Sequence, residues 1–222
     1  ITPTSIRTVQ YVWQLDSVYH SLEGELSLDI DVDKISDLRA VNPFRTRPTA
    51  MHMSNIKELI HLYQNKELVH KIIRYINRTA SAAGLTPLEK MQFILDFVQE
   101  PNIKYIADDK SDEIGNLLDY ARFPDETLLD GRGDCDCKAV LAAVLFAEAG
   151  YKTAYIITMS HAAVAVAFKN KYPDAFISML GDEVITKDGY MYYFCETTSD
   201  NFKIGDLSIS SKDQIQEILY IN

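Results

Sequence analysis

Residues 123–150 read FPDETLLDGRGDCDCKAVLAAVLFAEAG, and the change of character in the middle of this stretch governs the reading of the whole chain. Polar, glycine-broken residues from Asp130 to Asp134 lead straight into an Ala, Val and Leu run that ends at Gly150. This predicts a buried helix over about 134–149, capped by Gly150. Cys135 then falls at the first helical position, among backbone N–H groups that have no partner within the helix. The partial positive charge of a helix N-terminus lowers a thiol pKa from about 8.5 toward neutrality, so this position is expected to favour a thiolate.

Downstream, the apolar β-rich runs 154–158, 162–168 and 190–197 predict successive strands, joined by turns containing Ser160, Pro173, Gly181 and Gly189. Upstream, Leu68, Val69, Ile72, Ile73 and Ile76 share one helical stripe within a pattern running from about Ser54 to Ala83. A break is expected near Asn65 and a stop at Gly84. Thr86-Pro87-Leu88-Glu89 is a capping box with proline at the first helical position, which opens a helix to about Gln99. A short extended piece at Lys104–Ile106 and an acidic loop follow. The first fifty residues read as strand-rich: in SLEGELSLDIDVD, Leu26, Leu28, Ile30 and Val32 alternate with Glu25, Ser27, Asp29, Asp31 and Asp33. Asp29, Asp31 and Asp33 imitate the start of a calcium loop. However, Lys34 stands at the turn glycine and Ala40 at the closing glutamate, so a solvated strand face is the better reading. The sum is an α+β fold, a helical layer packed on an antiparallel sheet.

Composition bounds the function. At 222 residues the chain can bury a conventional core without disulfide staples, and no segment approaches the roughly 18 uninterrupted apolar residues that span a bilayer. A net charge of −10 with scattered Lys and Arg argues against nucleic acid or an anionic membrane as partner. The cysteines, Cys135, Cys137 and Cys195, are odd in number and imply no disulfide framework. The chain starts at Ile1 without a methionine, which leaves the compartment open: a secreted, periplasmic or lipid-anchored protein is the expectation only if a signal peptide or lipoprotein leader was removed.

A cysteine nucleophile needs a base within hydrogen-bond reach and a third group to orient that base. Of the five histidines, only His161 opens a buried-looking strand after the cysteine helix, in SHAAVAV. In the next run, YMYYFCETT, Glu196 sits late in an apolar strand, where a carboxylate needs a partner to offset its desolvation. An imidazole N–H would serve. The same region could instead offer Cys135, Cys137, His161 and Cys195 to zinc, but one intervening residue at a helix start is poor spacing for paired thiolates. Arg132-Gly133-Asp134, an integrin-type tripeptide by chance, is the turn before the cysteine.

These residues resemble the transglutaminase-like cysteine enzymes of prokaryotic type, with their papain-like core. The resemblance covers roughly Leu85 to Leu207: Phe97-Val98-Gln99, then IKY, PDETL, GRGDCDCKA, a helix ending AGY, SHAAVAV and ETTSDNFKIGDL. It implies a catalytic core over 85–222 with residues 1–84 as a strand-and-helix extension packed on it. It also implies catalytic Cys135, His161 and Glu196 as nucleophile, base and orienting acid. Glu196 stands where aspartate is commoner, Cys137 where an acidic residue is often found, and Ala163 where an aromatic is frequent. Cys137 is read as a packing residue and Cys195 as a core thiol. The implied chemistry is acyl transfer on a protein or peptide substrate through a thioester, with no metal or organic cofactor. Hydrolysis is favoured over cross-linking by the prokaryotic character. A non-catalytic peptide-binding or scaffolding module of the same fold is the alternative.

Overall fold

The computed structural model describes residues 5–46, 53–108, 119–168, 184–206 and 215–221. The turns expected at Pro173 and Gly181, and the end of the resemblance at Leu207, lie outside them. The chain opens with an antiparallel hairpin, β1 (Ile6–Asp16) and β2 (Ser21–Asp31), paired in register from Ile6↔Asp31 to Asp16↔Ser21. Its inward face carries Tyr11, Trp13, Leu15, Leu28 and Ile30, all buried, and the alternation expected in 21–31 holds as far as Asp31. There the pattern fails. Val32 begins α1 (Val32–Val41) instead of extending the strand, because the Asp31 carboxylate accepts from the backbone N–H groups of Asp33 and Lys34 and so caps the helix. Asp29 bonds the Thr8 hydroxyl at 2.6 Å, so these aspartates serve hairpin and cap.

Helices α2 (Pro43–Thr46), α3 (Met53–Leu62), α4 (Glu67–Ala83) and α5 (Pro87–Val98) follow. The break near Asn65, the left-handed stop at Gly84 and the capping box at Thr86 and Glu89 all form as the local signals dictate. Strand β3 (Lys104–Tyr105) is followed by α6 (Pro124–Asp130), β4 (Arg132–Gly133) and α7 (Cys135–Glu148). Helix α6 was not expected. Its signals are local all the same: proline at the first position and Glu126 at the third, whose carboxylate reaches back to the Phe123 N–H at 2.9 Å.

Strands β5 (Lys152–Thr158), β6 (Ala162–Ala167), β7 (Val184–Lys187), β8 (Tyr190–Cys195) and β9 (Ile215–Tyr220) make one antiparallel sheet in the order β7-β8-β6-β5-β9. Helix α7 packs on β5 and β6. Alternation sorts the sheet: Tyr155, Ile157, Val164, Val166 and Cys195 join the main core, while Ala154, Ile156, Ala163, Ala165 and Phe194 form a second cluster. The main core also takes in Tyr11 and Trp13 from the hairpin together with α4, α5 and α7, so residues before and after 84 share one buried cluster. Trp13 packs against Tyr75, Phe93 and Phe97 and donates its indole N–H to the Phe93 carbonyl at 3.1 Å, which ties the hairpin to α5. The architecture is α+β with helices on an antiparallel sheet.

Candidate active site

The start of α7 is held from three directions. Asp134 is the N-cap, and its carboxylate accepts from the Cys137 N–H at 3.4 Å. Before it, Gly131 ends α6 in the left-handed conformation at φ 62°, and β4 pairs in parallel with β3. Gly133 must be glycine, because a Cβ there would stand 2.5 Å from the Cys137 Cβ. From below, α6 is clamped by Arg39 of α1, whose guanidinium grips both Asp130 oxygens at 2.9 Å and Glu126 at 3.1 Å. The buried Lys138 donates its ammonium to the Ile103 carbonyl, fixing the segment ahead of β3 against the helix. Burial lowers that ammonium to about 8.

His161 and Glu196 are brought together. The antiparallel register that pairs Val164 with Cys195 carries Glu196, one residue on, to the His161 end of β6. The His161 Nε2 lies 3.0 Å from Glu196 Oε2. The other oxygen, Oε1, accepts from the backbone N–H groups of Thr197 and Thr198, each at 2.9 Å, and from the Thr198 hydroxyl at 2.7 Å. Gln99 donates to the Glu196 carbonyl at 2.8 Å and to that of Phe202 at 3.1 Å, holding the strand end from α5. Glu196 is fully buried, so its desolvation is offset by this set of donors.

Cys135 is partly buried at the first residue of α7, and its sulfur accepts the backbone N–H of Ala162, the residue that follows His161. Its thiol is not shifted downward as expected. Burial pushes it up to about 12, the Asp136 and Asp134 carboxyls add to the rise, and the Ala162 N–H works against them. The helix-terminus argument fails because two acidic side chains and low solvation outweigh a partial backbone charge. Cys135 therefore rests as a neutral thiol.

The other thiols are buried. Cys137 accepts from Arg122 Nη1 at 3.2 Å and donates to the Tyr120 carbonyl at 3.3 Å, so it is hydrogen-bonded as well as packed. Cys195 faces the core and donates to the Tyr193 carbonyl at 3.6 Å. Zinc, the reading that the spacing disfavoured, would have to draw Cys137 from Arg122 and the Tyr120 carbonyl, Cys195 from the Tyr193 carbonyl and His161 from Glu196. Ala163 lies in the cluster with Ala154 and Phe194.

Sequence reasoning quoted Gln99 and Tyr105 within the motifs of the resemblance but gave them no role, and it did not single out Tyr155, Arg122 or Lys138. Tyr105 is 42% exposed, and its phenol is raised first by its partial burial and then by neighbours that include the Asp134 and Asp136 carboxyls, so it lies near the start of α7. Tyr155 is buried under Asp136 and Cys135 from β5. For Lys138, a lysine in an Ala and Val helix was the local signal on offer. A cavity of about 550 Å³ lies elsewhere, lined by Asp29, Lys34, Leu38 and Leu68 between β2, α1 and α4, and it contains none of Cys135, His161 and Glu196.

The profile of the family described as Transglutaminase-like domain matches residues 56–206, more than half of the chain. The chain belongs to this family. The transglutaminase-like span contains Cys135, His161 and Glu196, and it begins at Ile56 in α3, within the segment that sequence had set apart as an extension. No curated protein matches the chain.

Proposed function

We propose that this transglutaminase-like protein is a cysteine-dependent acyl-transfer enzyme that hydrolyses peptide or carboxamide bonds. The observation that carries the proposal is the His161–Glu196 pair at 3.0 Å, buried and anchored, beside a helix-terminal thiol. With Nε2 engaged by Glu196, the His161 Nδ1 is the nitrogen open to a thiol proton. Because the resting thiol is neutral, attack and proton transfer are coupled: Cys135 Sγ bonds to the substrate carbonyl carbon as its proton passes to Nδ1. The carbonyl oxygen takes the electron pair, with the Cys135 N–H, unpaired within the helix, as donor. Collapse of that oxyanion expels the amine, which takes the proton back from the imidazolium. A water molecule, deprotonated by the same nitrogen, then cleaves the thioester to carboxylate and free thiol. Glu196 holds the ring and balances its transient charge throughout.

The test is a peptide-library digest by the full chain, with masses of the products. Cleavage that disappears in Cys135→Ala supports the proposal. Incorporation of an added primary amine in place of water would reassign the enzyme to cross-linking. The raised thiol favours a second reading, a peptide-binding module without turnover. That module would show saturable peptide binding with no cleavage and no covalent adduct.

A further inference from the structure

The cavity of about 550 Å³ outside the proposed active site carries an acid at its buried end. Its apolar walls include Ile30, Ile35 and Leu68, all buried, and Asp125, the second residue of α6, closes it from within at 6% exposure. One Asp125 oxygen accepts the Tyr63 hydroxyl. The other receives no hydrogen bond from any described residue and yet is not sealed from solvent, so it opens into the cavity that Asp125 lines. The charges around it do not balance. Lys71 is held by Glu67 at 3.0 Å and Lys34 by Asp31 at 3.8 Å, both pairs within the lining, which leaves Asp29, Asp37 and Asp125 without an ion pair among the described residues. Of these only Asp125 is buried, where a carboxylate without a counter-charge is costly.

We propose that this cavity binds a small organic ammonium ion with an aliphatic body, its charged head on Asp125 and its chain along Ile30, Ile35 and Leu68. The lining decides the class. A bare metal ion finds no ligands on apolar walls, and among the described residues no three of the lining acids bring their oxygens within 4.8 Å of one another. An anion meets unbalanced carboxylates. A neutral apolar molecule would strip water from the free Asp125 oxygen and leave it unpaired. An alkylammonium answers both halves of the site, with N–H donors for that oxygen and methylenes for the walls. The volume lies within the roughly 300–1,000 Å³ usual for small-molecule pockets. The place also fits: β2 and α1 precede the residues matched by the transglutaminase-like profile whereas α4 and α6 lie inside them, so the cavity is a seam that the family match does not span. The bound ion would add a contact between α1 and α6, which Arg39 already ties together at Glu126 and Asp130. Burial raises the Asp125 carboxyl to about 6, the Tyr63 hydrogen bond opposes the rise, and Glu67 of α4 and Glu126 of α6 add to it. Asp125 is therefore mostly ionised above neutral pH and mostly protonated at about pH 5.

The test uses the full chain without peptide substrate and three probes of one length, hexylammonium, hexanol and hexanoate, each titrated against isotope-labelled protein and followed by backbone amide NMR shifts. Hexylammonium should bind at about pH 7.5 with a dissociation constant of about 1 mM or tighter, the range open to a ligand of roughly seven heavy atoms, and should shift amides of α1, α4 and the start of α6. Hexanol should bind at least about tenfold more weakly, the worth of one hydrogen bond to a charged group, and hexanoate should not bind. At about pH 5 the hexylammonium affinity should fall by about tenfold, because the carboxyl that receives it is protonated. Asp125→Asn, whose amide oxygen can still accept from Tyr63, should lose the preference for the ammonium over the alcohol. Asp188→Asn, in the β7–β8 turn and outside the lining, should bind as wild type does. Circular dichroism checks the fold. If Asp125→Asn does not fold, Val41→Trp at the exposed lip of the cavity carries the test by blocking entry. The site is overturned by no hexylammonium shift at several millimolar, by equal affinity for hexanol, by shifts confined to residues outside the lining, or by unchanged affinity in the folded variants of Asp125 and Val41.

Discussion

Changing Glu196 to glutamine replaces one oxygen by a nitrogen, and the surrounding donors decide where that nitrogen goes. Oε1 sits among three donors, the Thr197 and Thr198 N–H groups and the Thr198 hydroxyl, whereas Oε2 faces the His161 Nε2. An amide NH₂ turned toward the three donors would leave buried N–H groups unpaired, so the carbonyl oxygen keeps that place and the NH₂ faces Nε2. Two donors cannot face each other. His161 must then carry its proton on Nδ1 and present Nε2 as acceptor, which removes the lone pair that should take the Cys135 proton. A carboxylate-to-amide change that locks the wrong tautomer costs about 10⁴ in kcat in a serine protease triad, or about 5.5 kcal/mol of barrier. The variant should therefore fold with a melting temperature close to wild type, keep KM for a cleaved peptide, and lose kcat by about that factor. Alkylation of Cys135 by iodoacetamide at neutral pH, which needs no substrate, should slow in parallel. Turnover within tenfold of wild type in a folded Glu196→Gln protein would refute the orienting role and the proton path through Nδ1.

Iodoacetamide with peptide mapping should label Cys135 first, because Cys137 and Cys195 are fully buried. With the thiol pushed up to about 12, its rate should climb about tenfold per pH unit from 7 to 9, and a plateau from pH 6 upward would reveal a preformed ion pair. Gly133→Ala drives a Cβ to 2.5 Å from the Cys137 Cβ, and should cost about 1–3 kcal/mol, or several degrees of melting temperature. An unchanged melt would show that the helix start yields easily. Burial raises Asp96 to about 7, so the folded state binds a proton that the unfolded chain, with an ordinary carboxylate, releases near pH 4. Its contribution is full below pH 4 and is lost as pH rises through about 7. Asp96→Asn should thus gain stability relative to wild type at pH 8 and little at pH 4 in urea melts, and equal differences at both would refute the assignment.

Local chemistry made much of this protein legible. Thr86-Pro87-Leu88-Glu89 opens α5, Gly84 stops α4, and the apolar runs around Tyr155, Val164 and Tyr193 are the strands expected, because caps, turns and side-chain periodicity act over a few residues. The sequence also placed Cys135 at a helix start and set His161 and Glu196 on adjacent strands. It missed α1 and α6, where the same kinds of cap were present but were read as a strand continuing and as a loop. It also missed β9, which pairs with β5 from sixty residues away in sequence, a pairing of the kind that no local window reports. Only the tertiary structure decided the charge state around the cysteine. The helix dipole is visible in any stretch that starts a helix, but the burial that raises the thiol, and the meeting of Asp134 and Asp136 with Asp119, depend on segments far apart in the chain. Desolvation and charge–charge energies are set by what surrounds a group in space, and that environment exists only once the sheet, α7 and the 119–134 segment have packed together.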